Sequence, residues 1–528
     1  MLTTDLKDKA ARGFLWGALN NGATQVLNAV FGILLARRLG QADYGLIGML
    51  AVFTLIANSL QDSGFVTALT NKRDATRQDY NAVFWFNIGV SLCLYILFFF
   101  CAPLIARFFD EPILSDLSRY YFLGFFIASF SIVPRAILFR QIRQRELAVM
   151  GLVSLLVSGI VGIAMAYNGM AYWGLATQTI AFNLMVSILS WALSGWRPTI
   201  KSEKVKVKSE KFATATICHL FPHKCGSKFF TFHFSLLPFS FAPIREMFAF
   251  SSKMLITNIF IGVNNNIFSL VLGKIYTKHE VGTYNQANKW NTMGASTITG
   301  MVQGVAQPTF VQVGDDLPRL RRAFSKMLRF TCFVSFPVML GLSLVAPEFI
   351  VVLIGEKWLS SAHLMQLLCI GGAFLPIATL YYNLIISRGK SDVYMWNIIA
   401  QGCAILGSIL MIHAVGGIIT HMVIAYVAIV ILWVGIWHRF LYQEIRYPFL
   451  LALRDILPFL LIATATMVIT YFATRPLTAW GETPNTWARL LLLLITRILL
   501  AAAIYLGTLW LFGAKILREC LGYLSKKK

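Results

Sequence analysis

Apolar stretches of about twenty residues recur along this chain from Gly13 to Phe512, separated by short polar breaks. A hydrocarbon layer about 30 Å thick takes roughly 20 helical residues to cross, so each stretch predicts a membrane-spanning helix. Fourteen spans are marked out in this way. Six precede a long polar interruption, at 13–36, 44–68, 81–102, 117–138, 148–167 and 171–195. Eight follow it, at 251–273, 281–307, 328–354, 362–387, 393–414, 416–438, 449–473 and 488–513. Stretches such as 83–102 and 456–471 are apolar nearly all round, without the alternation that a barrel strand of about ten residues needs. The expected fold is therefore an all-α polytopic membrane protein.

Composition sharpens this. With 57% hydrophobic and 13% charged residues over 528 positions, the chain has too little polar surface for a water-soluble protein. The net charge of +23 would suggest a nucleic-acid partner in a soluble chain. Here most Lys and Arg fall in alternate loops, as expected if those loops are cytoplasmic, and no nucleic-acid partner is assigned. Arg73 and Arg77, Arg140 and Arg145, Arg319 to Arg322 and the Lys526 to Lys528 tail all lie on that side, so both termini are expected in the cytoplasm. The segment Met1 to Arg12 runs into the first span without a cleavage pattern and reads as a retained amphipathic lead-in. Membrane lipids are the surrounding partner, and the cysteines within apolar helices imply no disulfide framework.

The middle loop opens with a lysine-rich run from Lys201 to Lys211. It also holds Cys218, His219, His223 and Cys225, whose spacing matches no standard zinc module, so no metal or cofactor is assigned. The chain then divides into 1–200, a first six-helix lobe; 201–240, a basic loop; 241–445, a second six-helix lobe; and 446–528, two further helices with a tail.

An internal repeat supports two lobes. Leu35 to Gly45 aligns with Leu272 to Gly282, with basic, acidic and glycine positions coinciding. In the same register Asn21 falls on Asn258 and Asn28 on Asn265. Six spans, an even number, separate the copies, so both insert the same way up and are expected to be related by an axis along the membrane normal. Paired lobes of this kind enclose a central cavity and alternate its access.

Polar groups within hydrocarbon are costly and usually face a cavity or another helix. The eighth span carries Asn285, Asn288, Lys289, Thr292, Ser296, Thr299, Gln303 and Gln307, spaced three and four apart along one face, which predicts a cavity lining. Asn20, Asn21, Gln25 and Asn28 in the first span, and Asn258, Asn264, Asn265 and Asn266 in the seventh, fit either a cavity or interhelical hydrogen bonds. Among embedded cations, Arg135 is expected to snorkel and Arg497 to face lipid or a helix end, leaving Lys253 and Lys289 to bind ligand. Net positive charge with amides suits an anionic ligand rich in hydroxyls, such as a diphosphate bearing sugars. Asp62 is expected to pair with a cavity cation, the alternative being a coupling proton. Arg37, Arg38 and Asp43 against Lys274 and Glu280 place opposite charges at the external ends, either as an outer gate or as local anchors of each hairpin.

Enzyme signatures fail on inspection. Gly389-Lys390-Ser391 lacks the earlier glycine of a phosphate loop, since position 384 is Leu, and His279-Glu280 lacks a second His, since position 283 is Thr. His413 and His421 form no catalytic constellation, so no catalytic residue is assigned.

Gly13-Phe14-Leu15-Trp16-Gly17, Leu34 to Gly45 and Asp62-Ser63-Gly64-Phe65 resemble Wzx-type polysaccharide flippases of the multidrug/oligosaccharidyl-lipid/polysaccharide superfamily. The likeness continues through Pro134 to Arg145, Tyr284-Asn285-Gln286-Ala287 and Gln307-Pro308, and within the family is greatest to lipopolysaccharide and colanic-acid export proteins. It implies two six-helix lobes with two trailing helices, in a bacterial inner membrane. It further implies movement of undecaprenyl-diphosphate-linked oligosaccharide between leaflets, beside polysaccharide polymerase and export machinery. The segment 203–239 is longer than the family's usual middle loop. A drug or metabolite antiporter of the same superfamily is the alternative. A glycan polymerase or ligase ranks third, because such enzymes commonly carry their active groups on a large external loop.

Overall fold

The computed structural model describes residues 22–62, 76–141, 143–198, 268–314, 316–479 and 486–511, with 260, 262 and 266. Its described residues contain helices and no strand. The first six helices are α1 (22–38), α2 (Gln41–Asp62), α3 (Arg77–Phe108), α4 (Leu114–Arg140), α5 (Gln144–Tyr167) and α6 (Ala171–Ser194). Then come α7 (described over 268–275), α8 (Lys278–Val313), α9 (Leu317–Leu344), α10 (Ala346–Ile354), a 3₁₀ turn at Glu356–Trp358, α11 (Leu359–Gly372) and α12 (Leu375–Ser387). The chain continues through α13 (Ser391–Ala414), α14 (Ile419–Ile445), α15 (Phe449–Ala479) and α16 (Thr486–Leu511).

Ten segments among the described residues are long and apolar enough to cross a bilayer, and they fall on the expected spans from 81–102 through 171–195 and from 328–354 through 488–513. The expected spans 13–36, 44–68 and 251–273 lie partly outside the described residues, and 281–307 lies within α8. Met1 to Arg12 and the whole 201–240 loop, with Cys218, His219, His223 and Cys225, lie outside them too.

Two expected spans are each built from two helices. The span at 328–354 breaks at Val345, where α10 starts with Pro347 in its first turn. The span at 362–387 breaks after Gly372, and α12 starts with Pro376 in its first turn. Proline lacks an N–H and suits the first turn of a helix, where that donor has no intrahelical partner. Helix starts elsewhere use side-chain oxygens: Thr76 and Asp79 form a capping box for α3, and Thr277 and Glu280 form one for α8. The tight α13–α14 turn works because Gly416 adopts φ +78°, a conformation that costs an L side chain about 1–2 kcal/mol.

Within the first six helices, α4 packs on α3 and α6, and α5 packs on α6. Helix α8 packs on α9, α11 and α12, while α9 packs on α15, and α16 packs on α15 and α10. One apolar core joins the two halves, from Met49, Leu50 and Phe122 to Tyr284, Trp290, Phe336 and Tyr381. The main bridge across the core is the crossing of α2 and α8.

Candidate functional site

The α2–α8 crossing is close because glycine stands where backbones meet. A Cβ on Gly45 would overlap the Lys278 carbonyl, one on Gly282 would overlap the Gln41 carbonyl, and one on Gly48 would overlap the Asn285 amide. These contacts link residues at matching positions of the repeat, since 41 aligns with 278, 45 with 282 and 48 with 285.

Around this crossing the end of the bundle is sealed in the same register. Arg37 donates from Nε to the Leu353 carbonyl at 2.6 Å and from Nη2 to the Val352 carbonyl at 2.8 Å. In return Lys357 Nζ donates to the carbonyls of Arg37 at 3.0 Å and Leu39 at 2.6 Å. Trp358 Nε1 donates to the Ala36 carbonyl at 2.9 Å, and Gln41 Nε2 to the Lys357 carbonyl at 2.6 Å. The last turns of α1 and α10 thus have carbonyls, which carry no intrahelical bond, capped from the opposite half. On the repeat-related side Lys274 pairs with Asp110 at 2.8 Å and Lys278 with Glu111 at 3.0 Å.

Of the two readings of the charges at these ends, the acids follow local anchoring rather than pairing across with Arg37 and Lys274. Asp43 accepts from the Gly40 N–H at 2.8 Å and Glu280 from the Thr277 N–H at 3.1 Å, each within its own hairpin. A short acid in a helix's first turn is captured by the adjacent backbone donors. The cations Arg37 and Lys274, freed of those acids, reach across instead. Arg38 lies with its guanidinium carbon 5.5 Å from the Tyr167 ring centroid.

Beyond the seal, α8 presents its polar face to open space. Thr292, Ser296 and Gln303 are exposed, and Asn285, Asn288, Lys289 and Thr299 are half-buried. Thr292 Oγ1 lies 3.5 Å from Asn288 Oδ1, Ser296 Oγ donates to the Met293 carbonyl at 3.3 Å, and Gln303 Nε2 donates to Tyr382 Oη at 3.3 Å. Asn285 accepts from Ser269 Oγ at 2.8 Å, while its Nδ2 finds no partner among the described residues. The Lys289 ammonium reaches α1, where a Cβ on Gly32 would overlap it, and sits 5.9 Å from the Trp290 ring centroid. Among the described residues no carboxylate pairs with it. Gln25 and Asn28 are half-buried on α1. Lys253, Asn21, Asn258 and Asn265, and the side chain of Asp62, lie outside the described residues.

The Arg497 expectation is overturned. Rather than facing lipid, it is buried, with Nη1 2.6 Å from Glu348 Oε1 and Nε donating to Thr474 Oγ1 at 3.1 Å. Two buried acids were missed by the sequence reading, Glu348 and Asp455, because each lies within about two turns of a span end and looks like an interfacial charge. Asp455 accepts from Ser325 Oγ at 2.5 Å and Tyr447 Oη at 2.6 Å, and pairs with Arg329 at 2.8 Å. An unbroken interior face interrupted by one acid was the available signal. Tyr382 was also missed; it ties Gln303 to Thr379, accepting from the first and donating to the second at 3.1 Å.

Comparison with known proteins gives three kinds of likeness. The sequence profile described as Polysaccharide biosynthesis protein (Polysacc_synt_3) matches residues 34–218 and 212–363. The Lipopolysaccharide biosynthesis protein WzxC of Escherichia coli (strain K12) is 24% identical over 391 residues, 74% of this chain and 72% of that one. Among solved structures, the Lipid II flippase MurJ in an inward closed conformation aligns with a TM-score of 0.69 at 13% identity, over 94% of this chain and 99% of that chain. An inward-facing multidrug resistance MATE family transporter of the MOP superfamily aligns at 0.56 with 12% identity, over 84% and 95%. At such identities the two structures share the fold.

Proposed function

Because this chain belongs to the polysaccharide biosynthesis protein family, we propose that it is a flippase moving undecaprenyl-diphosphate-linked oligosaccharide from the inner to the outer leaflet of a bacterial inner membrane. The observation that carries this reading is the open polar face of α8 with Lys289, which no carboxylate among the described residues pairs, held against α1. An unpaired cation in an apolar protein interior attracts an anion, and the diphosphate supplies one. In this proposal Lys289 and Lys253 draw the diphosphate. Asn285, Asn288, Thr292, Ser296, Thr299 and Gln303, with Asn21, Gln25, Asn28, Asn258 and Asn265, bond sugar hydroxyls, and Asp62 pairs with a cavity cation.

The proposed lobes are 1–200 and 241–445, joined by the basic loop at 201–240 and followed by two helices in 446–528. In this reading the basic loops lie inside and an even count of fourteen spans has both termini in the cytoplasm. The seal at Arg37, Lys357 and Lys274 then lies outside, so the described conformation loads from the cytoplasmic side. Opening it while closing the opposite end moves the headgroup across, with the lipid tail left in the bilayer. No bond in the cargo is made or broken. Polymerase and export partners would receive the product.

A drug or metabolite antiporter shares this fold, and the MATE alignment supports it as the second reading. Lys289, unpaired among the described residues, favours an anionic cargo over the organic cations such exporters carry. Reconstitution into liposomes with a fluorescent undecaprenyl-diphosphate oligosaccharide, read by an impermeant reagent on each face, tests the choice. Protein-dependent leaflet exchange that falls with Lys289→Gln, at unchanged membrane abundance, supports the flippase. No exchange with several glycans and imposed ion gradients transfers the reading to the antiporter.

A further inference from the structure

At the opposite end of the bundle from the seal, α9, α15 and the loop joining α14 to α15 enclose a pocket of about 870 Å³. Its wall carries Arg321, Arg322, Lys326, Arg329, Arg446 and Arg454, six cations against the single carboxylate of Asp455. No residue of α8 lines it, so it is separate from the polar face described above. The volume lies in the range of about 300–1,000 Å³ typical of pockets that enclose a small molecule.

Two of these cations hold the corner together. Arg329 pairs with Asp455 and donates to Ser325 Oγ at 2.9 Å, and Arg321 donates to the Ile445 carbonyl. Burial, and next the hydrogen bond to Asp455, raise the Tyr447 phenol to about 12, which keeps it a neutral donor to that carboxylate. The one acid in the wall is therefore already committed to Arg329, Ser325 and Tyr447. Arg322, Arg446 and Arg454 are exposed on this wall, and Asp455 is the one carboxylate among its residues.

That arrangement is costly without an anion. Arg446 ends α14 at φ +51°, a left-handed conformation usually left to glycine or asparagine. The adjoining wall is apolar, from Leu451 at the start of α15 to Pro458 and Phe459 about one turn beyond Arg454. Cations at the rim and an apolar face deeper along the same helix match a phosphate whose remaining substituent runs into the bilayer. The basic-loop pattern puts α9's start and the α14–α15 loop at the cytoplasmic interface, where such phosphates lie.

We propose that this pocket is a second binding site, taking a lipid headgroup that carries two phosphates. The chemistry is shared by a doubly anionic phospholipid and by a polyprenyl diphosphate, and the test separates the two. It does not depend on the flippase reading, because it is read as binding.

The full chain, purified in neutral detergent, is offered tetraoleoyl cardiolipin, undecaprenyl diphosphate, dioleoyl phosphatidylcholine or inorganic diphosphate, and retained ligand is measured by native mass spectrometry. Arg322→Gln with Arg454→Gln removes two exposed rim charges. Arg145→Gln with Arg439→Gln removes two exposed charges on the same side that do not line the pocket. The expected result is affinity weakened about tenfold or more by the first pair and less than about twofold by the second, with Arg322→Lys and Arg454→Lys retaining most of it. Loss for cardiolipin identifies a phospholipid site; loss for undecaprenyl diphosphate alone identifies a site for the carrier lipid. Equal losses in the two double variants, unchanged binding in the first, or retention of inorganic diphosphate but neither lipid, each overturn the proposal. Should the Gln pair elute as aggregate, the unmodified protein decides: binding that does not weaken as salt rises overturns it.

Discussion

The two sides of the sealed end share a register and differ in chemistry. On one side Lys274 and Lys278 meet Asp110 and Glu111; on the other Arg37, Lys357 and Trp358 meet backbone carbonyls. Asp110 is 78% exposed, so its pair is screened by water and salt, whereas Trp358 and Ala36 are fully buried and their bond is not. A repeat can therefore preserve where two halves touch while replacing what holds them. The carbonyl side is also the more directional, because a cap fits one helix end, whereas an exposed ion pair tolerates a range of geometries.

The largest way to break the arrangement is to remove what both sides share. Gly45→Leu or Gly282→Leu forces a side chain into facing backbone, which cannot rotate aside, at a cost above the ~1–3 kcal/mol of ordinary overpacking. A cysteine introduced by Gln41→Cys is then expected to label at least tenfold faster with an impermeant maleimide, with native cysteines replaced. Unchanged labelling would show that the glycine crossing does not close this end.

Next in size is the carbonyl side. Lys357→Met with Trp358→Phe leaves the Ala36, Arg37 and Leu39 carbonyls without these donors, and is expected to shift the closed state by about 1–3 kcal/mol. The same labelling at low and high salt should give the same shift. A shift that disappears with salt would contradict the contrast drawn here.

The smallest effect belongs to the ion pairs. Asp110→Asn with Glu111→Gln is expected to cost about 0–1 kcal/mol at low salt and to become undetectable near 1 M salt, read by the same probe. An effect equal to the carbonyl side would mean that burial does not set their difference.

Much of this seal was legible in outline. Gly45 and Gly282 stood out as matched positions, and glycine in a span is what lets two backbones approach. Spacing left two directions open for the charges, across the lobes or within each hairpin. Asp43 and Glu280 look available for cross-lobe pairing until the N–H groups of Gly40 and Thr277 are seen to claim them. The ten apolar spans were readable because length and hydropathy decide crossing, but the breaks at Val345 and Gly372 depend on Pro347 and Pro376, which apolar windows pass over. The polar face of α8 was plain from spacing alone. The Lys289 contact with Gly32 needed the fold, and so did the pairing of Arg497 with Glu348.

That last pair orders events in time. Ribosomes deliver chains from the amino end, so Glu348 is made 149 residues before the arginine that neutralises it. Until α16 emerges, a nascent chain holds a carboxylate whose partner does not yet exist. Helix α16 is thus the element that neutralises this buried carboxylate, and a chain halted before Arg497 carries Glu348 without that partner.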